Sequence, residues 1–207
     1  MKGKFVTIEG CEGVGKSTLI RLLKEYCQSN GVDAVFTREP GGTPVAEKIR
    51  AVILDAENKA MTSTAELLLY ASARAQHTEE KIIPAINEGK IVFCDRYSDS
   101  TVAYQGYARG LDLDLCHKLC KIGECGVKID ATVFLDLDPE LGFKRKGGAD
   151  KGDRLEEETL DFHKRVYAGF VDLASKEERY IRIDASKNET EVFNSVINAL
   201  KDRGIID

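Results

Sequence analysis

The chain has 207 residues, 43% of them hydrophobic and 31% charged, with a formal net charge of −5. This length and balance suit one domain with a sizeable core and exclude a disordered chain. The acidic total argues against a non-specific duplex-DNA binder, and no apolar run approaches the ~20 residues that cross a bilayer. The opening "MKGKFVTIEGCEG" lacks the apolar stretch of a secretory signal, so the chain is expected in the cytoplasm, with its six cysteines reduced. Cys116, Cys120 and Cys125 with His117 nearby lack the C-x-x-C spacing of a zinc site. Cys116 and Cys120 stand one helical turn apart instead.

In chain order, "KFVTIE" (4–9), "DAVFT" (33–37), "KIVFCD" (90–95), "ATVFLDL" (131–137) and "RYIRID" (179–184) are short apolar runs expected as strands buried on both faces. Between them, Lys16–Ser29, Pro44–Leu54, Thr64–Asn87 and Leu155–Ala174 carry apolar residues at three- and four-residue spacing, as amphipathic helices do. Ser63 and Glu66 are spaced as a capping box, and Gly31 and Gly89 fall just past helix ends. The alternation predicts an α/β fold: a five-stranded parallel sheet covered by helices on both faces, in a single domain spanning 1–207. "KRKGGADKGDR" (144–154) reads as a mobile basic loop.

"GCEGVGKS", Gly10 to Ser17, matches G-x-x-x-x-G-K-[ST] in full, with a strand before it and a helix after it. A polyphosphate needs several backbone N–H donors aimed at one point, which requires glycines and a helix N-terminus behind them. The loop residues Gly10, Cys11, Glu12, Gly13, Val14, Gly15, Lys16, Ser17 and Thr18 are therefore expected to bind a nucleoside triphosphate. Lys16 would neutralise the β- and γ-phosphates and the Ser17 hydroxyl would hold Mg²⁺. Cys11 sits near that helix N-terminus, where thiol pKa values tend to fall; a redox effect is one reading, and an inert side chain is the expected one. Asp95 ends an apolar strand, where its carboxylate would hold a magnesium-bound water. Open α/β sheets bind ligands at the carboxyl ends of their strands, so Glu9-Gly10, Thr37-Arg38 and Asp95-Arg96 should converge on one edge. Two guanidinium groups there, Arg38 and Arg96, suit a second phosphate-bearing substrate.

The runs "IEGCEGVGKST", "TREPGGT", "YASARAQH", "DRYSDSTVAYQG" and "DRLE" resemble, in order and spacing, those of thymidylate kinases of the bacterial type, over almost the whole chain. The resemblance implies a P-loop kinase fold with a short lid at about 144–154, and phosphoryl transfer from MgATP to dTMP. It implies a homodimer, with no nucleic-acid or membrane partner. Glu12 matches the family's P-loop acid, which reaches the sugar 3′-hydroxyl of dTMP, so the loop's one acid would serve the acceptor while its backbone serves ATP. Arg38 and Arg96 match the arginines around the acceptor phosphate, and Asp95 the acid near Mg²⁺. Tyr70 matches the aromatic that stacks on thymine, and Arg74 the arginine on its O4; their four-residue spacing puts both on one helix face. Ser100, Thr101, Tyr104 and Gln105 match the segment along base and sugar, with Thr101 near the N3 edge and Tyr104 crowding the 2′ position.

Some members of the family carry an arginine directly after the P-loop acid, where this chain has Gly13. The bacterial type draws a cation from the lid instead. The candidates here are Arg145, Lys146, Lys151 and Arg154, with Arg154 the best match and Arg145 next. Lys16, Asp95, Arg96, Arg145 and Arg154 are thus the expected catalytic residues. Two other readings of the motifs are a P-loop kinase for a different acceptor and a nucleotide-dependent switch, which predicts no acceptor-dependent ADP formation.

Overall fold

The structure, a computed structural model, describes residues 3–145, 155 and 158–207. Strands β1 (Lys4–Glu9), β2 (Ala34–Arg38), β3 (Ile91–Asp95), β4 (Ala131–Asp136) and β5 (Tyr180–Asp184) form one all-parallel sheet in the order β2-β3-β1-β4-β5. Their side chains alternate between two cores. Val6, Ile8 and Phe93 join one apolar cluster, while Phe5, Val92 and Cys94 join another, as the two-residue strand period requires.

Helices α1 (Lys16–Ser29), α2 (Pro44–Leu54) and α3 (Ser63–His77) lie within a residue of their expected starts. The stretch expected as one helix to Asn87 continues from α3 through a π-helical turn, Thr78–Ile82, into α4 (Ile83–Asn87). The sequence reading placed no helix boundaries for α5 (Ser98–Thr101), its π-helical continuation Val102–Ala108, α6 (Leu113–Gly123) or α7 (Pro139–Arg145). Helix α8 runs Leu160–Lys176, starting later than expected because Thr159 Oγ1 accepts the Phe162 N–H at 3.3 Å. Helix α9 (Glu189–Asp202) closes the chain. Among the described residues no helix is long and apolar enough to cross a membrane.

The expected capping box at Ser63 and Glu66 does not form. Thr62 is the N-cap, accepting from Ala65 N at 3.3 Å, and Glu66 is 1% exposed with its carboxylate held by Gln105 and Arg109. A buried carboxylate needs strong donors, and two side chains from across the fold outcompete one local amide. The capping box that does form pairs Asn188 with Glu191 at the start of α9.

The carboxyl ends of the central strands meet in register, with Arg38 opposite Asp95 and Asp95 opposite Ile8. One joint holds this edge together. Glu9 ends β1, is fully buried, and accepts from Tyr97 N at 2.7 Å and Ser100 Oγ at 2.6 Å. It therefore ties β1 to the segment that follows β3. Removal from water, reinforced by the Asp99 carboxylate, pushes the Glu9 carboxyl up to about 8 from the usual 4.5. A raised carboxyl favours the folded state while protonated. Its stabilisation is complete below pH 4.5 and is lost as pH rises through about 8. The thermal midpoint of the Glu9→Gln variant should gain on wild type as pH is raised from about 5 to about 9. Parallel pH–stability profiles would show that Glu9 does not titrate in this window.

Candidate functional site

The P-loop takes the conformation its glycines permit. Gly10, Gly13 and Gly15 have φ of 145°, 72° and 96°, and Gly15 caps α1 in the left-handed region. The first-turn N–H groups of α1 have no acceptors within the helix, which makes this end an anion cradle. Lys16 folds back over the loop, its Nζ donating to the carbonyls of Gly10 at 2.9 Å and Cys11 at 2.8 Å. Burial lowers the Lys16 pKa, so a nearby phosphate would restore charge compensation it now draws from carbonyl dipoles. Val14 and Thr18 complete the loop, Val14 buried and Thr18 half-buried in the first turn of α1.

Gly13 is explained by its neighbour across the fold. A Cβ at Gly13 would lie 2.2 Å from the Gly142 carbonyl oxygen, because α7 packs its backbone directly on the loop. A Cβ on Gly142 would in turn meet the Glu12 carbonyl at 2.5 Å. This contact leaves no room for an arginine side chain at position 13.

Cys11 follows the inert one of its two readings. It is 2% exposed, and burial pushes its thiol up to about 12 despite the nearby helix N-terminus and Lys16. Desolvation of a thiolate outweighs the helix dipole here, which makes Cys11 an unreactive core residue. Cys116 and Cys120 are likewise buried, with Cys120 Sγ donating to the Ser98 carbonyl at 3.5 Å.

One cavity is lined by all nine residues expected around the acceptor: Glu12, Arg38, Tyr70, Arg74, Arg96, Ser100, Thr101, Tyr104 and Gln105. They come from the P-loop, the end of β2, helix α3, and the segment that runs from the end of β3 through α5 into its π-helical turn. Arg96 stands at the centre. Its φ of 64° is left-handed, a conformation that costs a non-glycine residue roughly 1–3 kcal/mol unless its surroundings hold it. The surroundings do so at both ends. The backbone N–H donates to Ile8 O at 3.0 Å, while the guanidinium reaches Gly10 O at 3.0 Å, Ser100 Oγ at 3.3 Å and the Glu12 carboxylate. Tyr104 supports the same pair, its ring 5.2 Å from the Arg96 guanidinium and its hydroxyl donating to Glu12 at 3.2 Å.

Arg38 is half-exposed and donates to Glu47 at 3.0 Å, at the rim of the cavity. Tyr70 is half-buried on α3. One turn later Arg74 is 1% exposed, and its donors go to Glu39, Cys120, Thr101 and the Tyr97 carbonyl. Gln105 is turned inward and donates to Glu66 at 2.8 Å. Its place is therefore in the wall behind the cavity.

Ser17 and Asp95 line an adjoining cleft with Thr37, Thr43, Lys24 and Lys81. Asp95 Oδ1 is buried and accepts no hydrogen bond from a described residue. A buried carboxylate oxygen without a described partner, on a residue that lines the same cleft as an exposed serine, fits a hydrated divalent cation, which would satisfy both. Of the lid candidates, Arg145 ends α7 and donates to the carbonyls of Ala185 at 2.8 Å and Ser186 at 3.1 Å. Its guanidinium is committed to the loop after β5 and not to the phosphate loop. Arg154, Lys146 and Lys151 lie outside the described residues.

The sequence reading missed several cavity residues. Glu39, Pro40, Arg50, Leu54 and Leu155 also line it, and Arg50 donates to the Pro40 carbonyl at 2.8 Å. Glu9 and Glu39 carried a legible signal, since each is an acid at or just past the end of an apolar strand. Arg50 and Leu54 had none beyond a helical face.

A thymidylate kinase family model matches residues 8–196. The chain is 46% identical over 202 residues to a thymidylate kinase of Finegoldia magna, covering 98% of this chain and 100% of that one. It is 47% identical over 206 residues to one of Geotalea daltonii, with 96% of each chain covered, and 45% identical over 199 residues to one of a Nostoc species, covering 95% and 94%. With the glycine cradle and the two-arginine cavity already in place, these matches assign the chain to the thymidylate kinase family.

Proposed function

We propose that this chain transfers the γ-phosphoryl group of ATP to dTMP, giving dTDP and ADP on the route to dTTP. The observation that carries this reading is the meeting of two anion sites at one edge. The P-loop cradle faces a cavity whose rim and centre hold Arg38 and Arg96. Bringing two polyanions together is the main obstacle to the reaction, and fixed cations aimed at the junction remove it.

Lys16 exchanges its contacts to the Gly10 and Cys11 carbonyls for β- and γ-phosphate oxygens. Arg96, pre-set by its left-handed backbone and by Glu12, binds the acceptor phosphate and steadies the charge that spreads during transfer. Arg38 neutralises the same phosphate from the rim. The Glu12 carboxylate accepts from Arg96 and Tyr104 and is assigned the sugar 3′-hydroxyl as a further donor. Tyr70 offers its ring to the base and Tyr104 crowds the 2′ position. Ser100, through Glu9, and Thr101, through Arg74, complete the wall. The acceptor phosphate is already deprotonated near neutral pH, so no general base is required. Ser17 and Asp95 are the residues that would hold Mg²⁺, which supplies charge neutralisation between the β- and γ-phosphates when bound. Arg154 is proposed as the lid cation at the transferring group.

We further propose a homodimer. Val45 and Val52 on α2 lie seven residues apart and are 47% and 46% exposed, as are Leu115 and Ile122 on α6 at 43% and 68%. Both helices pack on α3, where Leu68 is 49% exposed, so three neighbouring helices each expose apolar side chains. A second copy of the same face would cover them.

Coupled ADP release measured side by side with dTMP, dUMP, dGMP and no acceptor tests the activity. dTMP should dominate, with dUMP a poor substrate, since a pocket for one methyl group gains only ~1–3 kcal/mol. Equal ADP formation without acceptor would remove the kinase reading. Arg96→Ala should lower dTMP turnover by about 100-fold or more while ATP binding survives; near-normal turnover would take Arg96 out of the mechanism. A Leu68→Glu/Ile122→Glu variant should sediment as a monomer where wild type sediments as a dimer, and an unchanged sedimentation coefficient would place the interface elsewhere.

A further inference from the structure

Glu39 belongs to the run "TREPGGT", in which the proposed mechanism uses only Arg38. It follows β2 by one residue, and its N–H donates to the Asp95 carbonyl at 2.9 Å. Its side chain is 3% exposed and touches two partners from α3. Arg74 Nε donates to Oε2 at 2.8 Å, and His77 Nδ1 lies 3.0 Å from Oε1. His77 Nε2 is in turn 2.7 Å from Thr37 Oγ1. A buried chain of contacts thus runs from β2 through His77 and Glu39 to Arg74, in the wall of the acceptor cavity.

A guanidinium has five N–H donors in a rigid fork. Four of those on Arg74 have partners. Nε serves Glu39, the two on Nη2 serve Tyr97 O at 3.1 Å and Thr101 Oγ1 at 2.8 Å, and one on Nη1 points to Cys120 Sγ at 3.6 Å. The remaining Nη1 hydrogen belongs to a plane held on two edges, by the Glu39 carboxylate at Nε and by Tyr97 O and Thr101 Oγ1 at Nη2. A pyrimidine presents a carbonyl oxygen at its 4-position in thymine and an amino group in cytosine. A fixed N–H donor meets an acceptor in the first case and another donor in the second.

We propose that Glu39 is a specificity-determining positioning residue, which locks Arg74 so that one N–H faces the 4-position of the base, admitting thymine and refusing cytosine. The proposal rests on the dTMP kinase reading.

The test compares kcat/KM for dTMP and dCMP in wild type, Glu39→Gln, Glu39→Asp, Arg74→Gln and the Glu39→Gln/Arg74→Gln double variant. Glu39→Gln should narrow the dTMP-to-dCMP ratio by about tenfold or more, since a mispositioned buried donor costs orders of magnitude in discrimination. The double variant should lose no more selectivity than Arg74→Gln, because both changes break one unit. Should the unpaired buried guanidinium prevent Glu39→Gln from folding, Glu39→Asp carries the test: it keeps the charge, retracts it by one methylene, and should narrow the same ratio. A merely structural role would lower both rates equally and leave the ratio in place, which would overturn the proposal, as would additive losses in the double variant. A wild-type enzyme that prefers another acceptor would overturn the dTMP reading and this proposal with it. A wild type selective for dTMP beside variants of unmoved ratio overturns the role of Glu39 alone.

Discussion

The register of the parallel ladder is the constraint on which the site depends. Pairing Arg38 with Asp95 and Asp95 with Ile8 sets three strand ends level, so that everything emerging from them shares one edge. The P-loop leaves β1, the Glu39 turn leaves β2 and the Arg96 turn leaves β3, all within side-chain reach. A slip of one residue in either ladder would reverse which side chains face each core and separate these turns.

Buried carboxylates then hold the edge together. Glu9, Glu39 and Glu66 are each 4% exposed or less, and each is anchored by donors far away in sequence. Each joins two elements: β1 to the segment after β3, the β2 turn to α3, and α3 to the π-helical turn that follows α5. Such groups contribute little net stability compared with apolar replacements, because desolvation offsets the attraction. What they supply is geometry. A buried acid with its hydrogen bonds satisfied has one low-energy position, and the cavity wall inherits it.

The cations of the candidate site are held in graded fashion. Arg96, in a left-handed backbone, is held by the Ile8 carbonyl, a carboxylate and a ring, while Arg38 sits half-exposed and donates to Glu47. Lys16 rests on two carbonyls, contacts that a phosphate readily replaces. The most firmly held cation therefore lines the cavity beside the glycine loop, and the less constrained ones stand at its rim and on the loop itself. The Gly13–Gly142 contact adds α7 to this arrangement, since that helix rests its backbone on the glycine loop.

Much of this was legible in the residues alone. Strand positions, the glycine loop and the convergence of Arg38, Asp95 and Arg96 follow from local periodicity and from a loop whose chemistry needs particular residues at particular spacings. The nine expected acceptor residues do line one cavity. What the chain order could not convey are properties that exist only after distant segments meet. The Glu39–Arg74 pair spans 35 positions, the Glu9–Tyr97 bond 88, and no local pattern marks either. Glu66 has the spacing of a helix cap, yet tertiary donors claimed it. Cys11 sits where a helix dipole lowers a thiol's pKa, yet its burial raised it instead. Local sequence determines which conformations and charges are available. Burial and partner choice are decided by the packing of the whole fold, because desolvation depends on what covers a group and not on its neighbours in the chain.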